Sequence, residues 1–207
     1  MIAVVDYGAG NIHSVGRALS RVGAQFDITD DPKSVNQADA VILPGVGAAR
    51  ETMSRLHARE LDDVVVSEIG RGTPYLGICM GLQVLFETSE EDDGTLCLGV
   101  FPGQVMRFSD DLDVPHMGWN QVHQVSETRL FDGIAQDTNF YFVHSYYPQP
   151  NNPSVTAATT DYGIEFTSVA VIDNVYATQF HPEKSGMAGL RMYANFVAIA
   201  GQCTTSD

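Results

Sequence analysis

The stretch YLGICMGLQVLFE, residues 75–87, joins a short apolar run to a helical pattern through a cysteine between two glycines. Gly77 and Gly81 each lie two residues from Cys79. A buried structural cysteine does not need such glycines, whereas a side chain held on a sharp strand-to-helix turn does. The spacing therefore predicts a nucleophile elbow, with a buried cysteine in a glycine-tolerant turn as the alternative.

The turn around Cys79 also predicts how charge would be stabilised there. Unpaired backbone amides at the start of a helix favour a negative sulfur. The same amides, that of Met80 in particular, are placed to bind an oxyanion. This pattern is typical of a cysteine that acts as a nucleophile.

A second glycine-rich turn, LPGVGA at residues 43–48, follows another buried strand. In a parallel sheet it would bring Gly45 and Gly47 to the carboxyl edge, where such folds bind ligands. The turn lacks the lysine of a P-loop and the spacing G-x-G-x-x-G. It is predicted to supply a second oxyanion amide, with a tight turn of no function as the alternative.

The stretch QFHPEKS, residues 179–185, offers a base for the cysteine and a group to orient that base. His181 and Glu183 lie two residues apart at the end of a predicted strand, and Pro182 restricts the backbone between them. A metal site needs further ligands, which the neighbouring sequence does not offer. No metal is therefore expected at this motif.

Charge and cysteine content exclude several function classes. The chain has 26 acidic and 11 basic residues, a formal charge of −15, which argues against binding nucleic acid or an anionic membrane. Acidic clusters such as residues 90–93 are expected in solvated loops, and the overall acidity indicates a salt-loving source or an acidic mesophilic protein. Three scattered cysteines predict neither a disulfide framework nor a zinc site, but a reducing, cytoplasmic location. Neither a signal peptide nor a membrane span is expected.

The order of predicted elements indicates one α/β domain over residues 1–207. Strands are expected at residues 2–8, 24–29, 39–45 and 73–78, with helices at 12–22, within 48–69 and after Cys79, which implies a parallel sheet with helices on both faces. The second half has short strands, including two runs joined by Asp173-Asn174, a two-residue hairpin turn. It is expected to extend the sheet with antiparallel strands, before a last helix at residues 186–201.

These motifs, in this order, resemble the class I glutamine amidotransferases. Within that family the sequence is most similar to the glutaminase subunits of imidazole glycerol phosphate synthase, from histidine biosynthesis. The matching segments are VVDYGAGNIHSV (4–15), PGVGA (44–48), GICMGLQVLFE (77–87), VPHMGWNQV (114–122), YFVHSYY (141–147) and QFHPEKS (179–185). The resemblance implies a flavodoxin-like α/β fold, and it implies neither a metal nor an organic cofactor for this subunit. It also implies a heterodimer with a (β/α)8-barrel cyclase subunit, which uses the ammonia released from glutamine.

Roles for individual residues follow from the same resemblance. Cys79 would attack the glutamine amide, with His181 as base and then acid and Glu183 orienting His181. The substrate-binding residues would be Gln83, Ser145 and Tyr146. The oxyanion hole would involve Gly47, Met80 and Val46, in a loop that the partner aligns. The residues facing the partner would be Asn11, Met117, Trp119, Tyr141 and Lys184.

Two other interpretations remain open. One is a class I glutaminase of another pathway, such as anthranilate, aminodeoxychorismate or pyridoxal phosphate synthesis. The other is a partner-binding module on the same fold with no chemistry, against which the presence of Cys79, His181 and Glu183 argues. Before the resemblance is considered, Met117 and Trp119 would be assigned to the core.

Overall fold

The structure, a computed structural model, describes the backbone of residues 1–203 and the side chains of residues 1–201. The side chain of Cys203, to which the sequence assigns no role, lies outside this part. The strands are β1 Ile2–Val5, β2 Phe26–Thr29, β3 Ala40–Gly45, β4 Tyr75–Cys79, β5 Phe86–Ser89, β6 Thr95–Leu96, β7 Phe101–Arg107, β8 His116–Gln124, β9 Thr138–His144, β10 Tyr146–Pro150, β11 Thr156–Asp161, β12 Glu165–Ile172 and β13 Val175–Thr178. The helices are α1 Ile12–Arg21, α2 Pro32–Asn36, α3 Ala49–His57, α4 Leu61–Gly70, α5 Met80–Gln83 and α6 Gly186–Cys203. Over residues 1–203, no helix has the length and apolar character to span a membrane.

Nine strands form the central sheet, in the order β2-β1-β3-β4-β13-β12-β11-β8-β9. The first five in that order are parallel, and the remaining pairs are antiparallel. The hairpin at Asp173-Asn174 is present, with Ile172 opposite Val175. The predicted α/β fold with an antiparallel extension is confirmed.

Alternating side chains of the parallel strands build two separate cores. Ile2 and Val4 of β1 face one side, where they pack in the same apolar cluster as residues of α1 and α6. Ala3 and Val5 face the other side, with residues of α2, α3 and α4. Because successive strand residues point to opposite faces, a continuous apolar strand indicates helices on both sides.

The segment after Cys79 contains a strand that the sequence did not predict. The predicted helix is the single turn of α5, and the chain then enters β5, which pairs with β7 in a second sheet of order β10-β7-β5-β6. Leu82, Val84 and Leu85 are all fully buried, so this segment has no solvated face that would sustain a surface helix. Phe86 continues into the strand and packs edge-on against Phe101, with ring centroids 5.6 Å apart.

Candidate active site

Cys79 stands on a strained turn between β4 and α5. Its backbone angles are φ 55° and ψ −102°, outside the regions that a non-glycine residue normally adopts. The flanking glycines allow the chain to fold back closely. A Cβ atom on Gly81 would lie 1.9 Å from the Leu43 carbonyl oxygen, and one on Gly77 would lie 2.4 Å from the Gly81 oxygen. The nucleophile-elbow geometry predicted from the spacing is therefore present.

The glycine-rich turn at residues 44–47, which we call the PGVG loop, lies against this elbow, as the parallel register requires. Gly45 is opposite Cys79 at the ends of β3 and β4, and a Cβ atom on Gly45 would be 2.5 Å from the Met80 Cβ. Gly47 has φ +103°, a conformation that favours glycine, and it lines the cysteine pocket together with Met80. Val46 is not among the lining residues, and its side chain lies over Gly10.

His181 and Glu183 form a buried pair at the other side of the elbow. The Nδ1–H of His181 donates to the Oε1 of Glu183 over 2.8 Å, and both side chains are fully buried. A short 3-10 turn, Pro182–Lys184, brings the two side chains together. The turn is held by Ser185, whose hydroxyl donates to the His181 carbonyl (2.7 Å) and accepts from the Tyr141 amide (3.0 Å).

Asn11 contacts the same carboxylate from the opposite end of the chain. Its Nδ2 donates to Glu183 Oε1 over 2.9 Å, and its side chain is buried. Asparagine at a helix N-cap normally bonds to its own helix, but Asn11, the N-cap of α1, makes no such bond. The sequence suggested that Asn11 faces the partner. In the structure it is a second support of the Glu183 carboxylate.

The charges in this pair shift both pKa values. Burial alone would lower the pKa of His181, but the negative charges of Cys79 and Glu183 raise it to about 10. Burial would raise the pKa of Glu183, and the hydrogen bonds from His181 and Asn11 together with the charge of His181 lower it instead. His181 is therefore an imidazolium at neutral pH.

The second ring nitrogen of His181 is available for proton transfer. Within the described residues, Nε2 makes no hydrogen bond of normal geometry, although the charge of Cys79 acts on the ring. Catalytic hydrogen bonds are often long before substrate binds and shorten in the complex. The arrangement allows His181 to give a proton to a leaving group held at Cys79.

A small pocket of about 180 Å³ opens over the cysteine. Its lining residues are Gly47, Cys79, Met80, Gln83, Glu91, Pro115, Val143, His144, Ser145 and Tyr146. The predicted substrate-binding residues Gln83, Ser145 and Tyr146 are all among them. The volume lies below the range of about 300–1,000 Å³ typical of drug-sized ligands, which suits a small substrate.

A buried glutamine that the sequence did not point to contacts the sulfur of Cys79. The Nε2 of Gln179 donates to Cys79 Sγ over 3.6 Å, while its Oε1 accepts from Gln83 Nε2 at 3.0 Å. Gln179 lies directly after β13, two residues before the predicted base, and is fully buried. The signal in the sequence that could have identified Gln179 was its position two residues before His181.

Glu91 is the second residue missed. The sequence placed the acidic cluster 90–93 in a solvated loop, but Glu91 is half-buried and lines the cysteine pocket. Its Oε2 accepts from the Ala49 amide over 2.6 Å, and burial raises the pKa of its carboxyl. The expectation of a solvated position is therefore wrong for Glu91. A carboxylate at this position can accept hydrogen bonds from an ammonium group.

Four of the residues predicted to face a partner lie together on one surface. Met117 and Trp119 on β8 are 62% and 58% exposed, so the core interpretation is wrong for both. Tyr141 on β9 packs edge-on against Trp119, with ring centroids 6.1 Å apart. The Lys184 ammonium lies 5.7 Å from the centre of the Tyr141 ring, a cation–π distance. We call these four residues the aromatic patch.

The relatives of the chain are consistent with this site. Residues 3–200 match the family model of glutamine amidotransferase class-I. Subunit HisH of imidazole glycerol phosphate synthase from Dehalococcoides mccartyi (strain CBDB1) is 50% identical over 200 residues, covering 97% of this chain and 98% of that protein. The HisH subunit of Methanothermobacter thermautotrophicus is 49% identical over 199 residues, covering 96% and 98%.

Solved structures with less sequence similarity share the fold. The crystal structure of a glutamine amidotransferase superposes with a TM-score of 0.77 at 19% identity, covering 97% of this chain and 100% of that one. The glutaminase domain of Trypanosoma brucei CTPS with bound acivicin gives a TM-score of 0.66 at 15% identity, covering 97% and 93%. The chain therefore belongs to the class I glutamine amidotransferase family, in the branch of the HisH subunits of imidazole glycerol phosphate synthase.

Proposed function

We propose that this chain is the glutaminase subunit of imidazole glycerol phosphate synthase, and that Cys79, His181 and Glu183 form its catalytic triad. It hydrolyses glutamine to glutamate and ammonia. The ammonia passes to a cyclase subunit that makes imidazole glycerol phosphate and an aminoimidazole carboxamide ribotide. The observation that carries the triad assignment is the strained Cys79 beside the buried, charged His181–Glu183 pair.

In the first step the Cys79 thiolate attacks the side-chain amide carbon of glutamine. A carbon–sulfur bond forms, and the carbonyl oxygen takes up the negative charge. The amides of Gly47 and Met80 would stabilise this oxyanion once the PGVG loop is aligned. The imidazolium of His181 gives its Nε2 proton to the amide nitrogen, which leaves as ammonia, and a glutamyl thioester remains on Cys79.

In the second step water hydrolyses the thioester. His181, now neutral, takes a proton from the attacking water, and the carbon–sulfur bond breaks to release the thiolate and glutamic acid, whose new carboxyl group loses its proton to the solvent. Throughout both steps Glu183 keeps the Nδ1 proton of His181 in place, so that Nε2 is the nitrogen that exchanges protons. Asn11 holds the orientation of that carboxylate.

The polar groups around the pocket would bind the two charged ends of glutamine. The Glu91 carboxylate suits the α-ammonium group, because the two charges are opposite and the pocket excludes part of the solvent. Ser145 and Tyr146 supply donors for the α-carboxylate. Gln83 stands one helical turn after Cys79 and would fix the bound substrate from the side.

The aromatic patch is proposed as part of the surface that meets the cyclase. Exposed tryptophan, tyrosine and methionine side chains are enriched at protein interfaces, and Lys184 would add a charge contact in a chain with only two lysines. Binding of the cyclase at this patch would align the PGVG loop, including Val46, for oxyanion binding. Glutamine would then be hydrolysed mainly when the cyclase holds its ribotide ligand. A reducing, cytoplasmic location is proposed because Cys79 acts as a free thiolate.

Glutamate release from glutamine tests this function. The protein is assayed alone, with a cyclase subunit, and with the cyclase subunit plus its ribotide ligand, at high salt. We expect strong stimulation by the liganded partner and no turnover by C79A in a complex that still assembles. Equal turnover with and without the partner would keep the glutaminase but contradict its assignment to this synthase, and unchanged turnover by C79A would exclude the cysteine mechanism.

A further inference from the structure

Two buried histidines outside the triad are bonded to each other. His116 on β8 and His144 at the end of β9 are opposite one another in the antiparallel register. The Nδ1 of His116 lies 2.9 Å from the Nε2 of His144, and the residues are 3% and 6% exposed. His144 also lines the cysteine pocket. A buried histidine pair at a pocket wall is rarely without a role, because desolvation makes it costly.

The hydrogen-bond partners determine which nitrogen carries each proton. The Tyr146 carbonyl can only accept, so His144 donates to it from Nδ1 over 2.8 Å. His144 Nε2 is then an acceptor, and His116 must donate from its own Nδ1. His116 Nε2 is therefore also an acceptor, and it faces the amide nitrogen of Asn120 at 3.3 Å.

The orientation of Asn120 is fixed independently. Its Oδ1 accepts from the Gln121 amide over 2.8 Å, and its Nδ2 donates to the Asp161 carbonyl over 2.8 Å. The amide nitrogen must then be the atom that faces His116. Asn120, His116, His144 and the Tyr146 carbonyl thus form one chain of hydrogen bonds with a single direction, which we call the histidine relay.

The surroundings keep both rings neutral. Burial lowers the pKa of His116 to about 4 and that of His144 to about 3. Aromatic rings pack around them, namely Phe108, Phe142, Tyr162 and Phe166. The titratable groups that face the pair are Tyr162, stacked on His116 at 4.0 Å, and His181, whose positive charge lowers the pKa of His144 further.

The inner end of the histidine relay reaches the reactive sulfur. The Tyr146 carbonyl accepts a second hydrogen bond, from Gln83 Nε2 at 2.9 Å. Gln83 also donates to Gln179, and Gln179 donates to Cys79 Sγ. A continuous path of buried and partly buried hydrogen bonds therefore joins the strand that carries Trp119 to the sulfur of Cys79.

We propose that His116 and His144 are positioning residues that fix the Tyr146 carbonyl and, through Gln83 and Gln179, the sulfur of Cys79. The relay works only while both rings are neutral, because a second proton on either ring would set two N–H groups against each other. This inference rests on the proposed function of the same site, which it deepens. Neither histidine touches the reacting atoms in this assignment.

The decisive comparison is between two substitutions of His116. H116F keeps a ring of similar size in the aromatic stack but leaves His144 Nε2 without a donor. H116N restores a donor amide near the position of Nδ1. We expect kcat/KM for glutamine in the cyclase complex to fall about tenfold in H116F, which is the effect expected from one unsatisfied buried acceptor, and to recover largely in H116N.

H123F is the matched control, since His123 lies on the same strand but bonds to Asp137 at the surface.

The rate of Cys79 alkylation separates this inference from the proposed function. It reads the environment of the sulfur whether or not the complex releases glutamate. A changed rate in H116F that H116N restores supports the relay even if no variant hydrolyses glutamine. Unchanged alkylation and unchanged kinetics in H116F, in an active complex, would overturn it.

A measurement on the unmodified protein covers the case in which H116F fails to fold. Nitrogen-15 NMR of labelled histidines reports the protonation and tautomer of each ring. We expect both His116 and His144 to be neutral and protonated at Nδ1, and to remain so as the pH is lowered from neutral to about 5, below the ordinary histidine pKa of about 6.5. A charged ring at neutral pH, or a proton on Nε2 of either ring, would contradict the relay.

Discussion

Replacing Glu183 with glutamine is expected to weaken the triad without emptying its space. The amide has nearly the shape of the carboxylate, but it removes the charge that binds His181 Nδ1–H over 2.8 Å. It also puts donor hydrogens at Oε2, a buried atom with no hydrogen-bond partner within the described residues. A hydrogen bond to a charged group contributes roughly 1.5–3 kcal/mol, against about 1 kcal/mol for a neutral one.

The difference between the free energies of a charged and a neutral hydrogen bond sets the size of the expected effect of E183Q. A loss of about 1–2 kcal/mol corresponds to about one pKa unit for His181 and to about a tenfold fall in kcat/KM. The pKa of His181 is raised to about 10, so its imidazolium persists through neutral pH and is lost only as the pH rises through that value. In E183Q the alkaline limit of kcat/KM should therefore move down by about one pH unit.

The assay is the pH profile of glutamate release by the cyclase complex, with Cys79 alkylation measured in parallel. Cys97 serves as an internal reference, because burial and the charge of Glu91 raise its thiol pKa to about 11 and E183Q does not touch it. E90Q is the control substitution, since Glu90 bonds to the backbone of Arg107 outside the pocket. An alkaline limit and a kcat/KM that both stay at the wild-type values would refute the assigned role of Glu183.

Other predictions follow from the same structure. G81A should lower the free energy of urea unfolding by about 3 kcal/mol, because its Cβ would lie 1.9 Å from the Leu43 oxygen, whereas G70A, with no atom within 4 Å, should leave it nearly unchanged. N11L should reduce kcat/KM at least tenfold while the complex still assembles, and loss of binding with normal turnover would return Asn11 to the interface. W119A should weaken cyclase binding in titration calorimetry by at least tenfold and leave Cys79 alkylation in the isolated protein unchanged. If the −15 charge reflects a salt-loving source, the unfolding free energy should rise steadily with potassium chloride, and equal stability in dilute buffer would contradict this.

Local patterns in the sequence determine most of the fold. Buried strands alternate with helical segments up to Cys79, and Asp173-Asn174 marks a hairpin, so the central sheet and its extension could be predicted. The second sheet could not, because β5 follows directly on α5 in a run that is apolar on every side. Short apolar runs fit a buried helix and a strand equally well, and here pairing with β7 decides the outcome.

The strained turn at Cys79 and the pairing of His181 with Glu183 were also predictable, since these residues lie in compact motifs. The supporting contacts were not, because they join distant parts of the chain. Asn11 and Glu183 are 172 residues apart, and Gln179 and Cys79 are 100 apart. Both buried histidines of the relay lie in segments that carry the family resemblance, yet only the tertiary pairing of β8 and β9 shows that they bond to each other.

The most direct test of the account is to trap the acyl intermediate. The cyclase complex is quenched in acid during turnover of glutamine, digested, and examined by mass spectrometry. We predict a glutamyl group on the peptide that contains Cys79, and none in C79A. Glutamate production without an adduct on Cys79, or with the adduct on Cys97, would contradict the proposed mechanism.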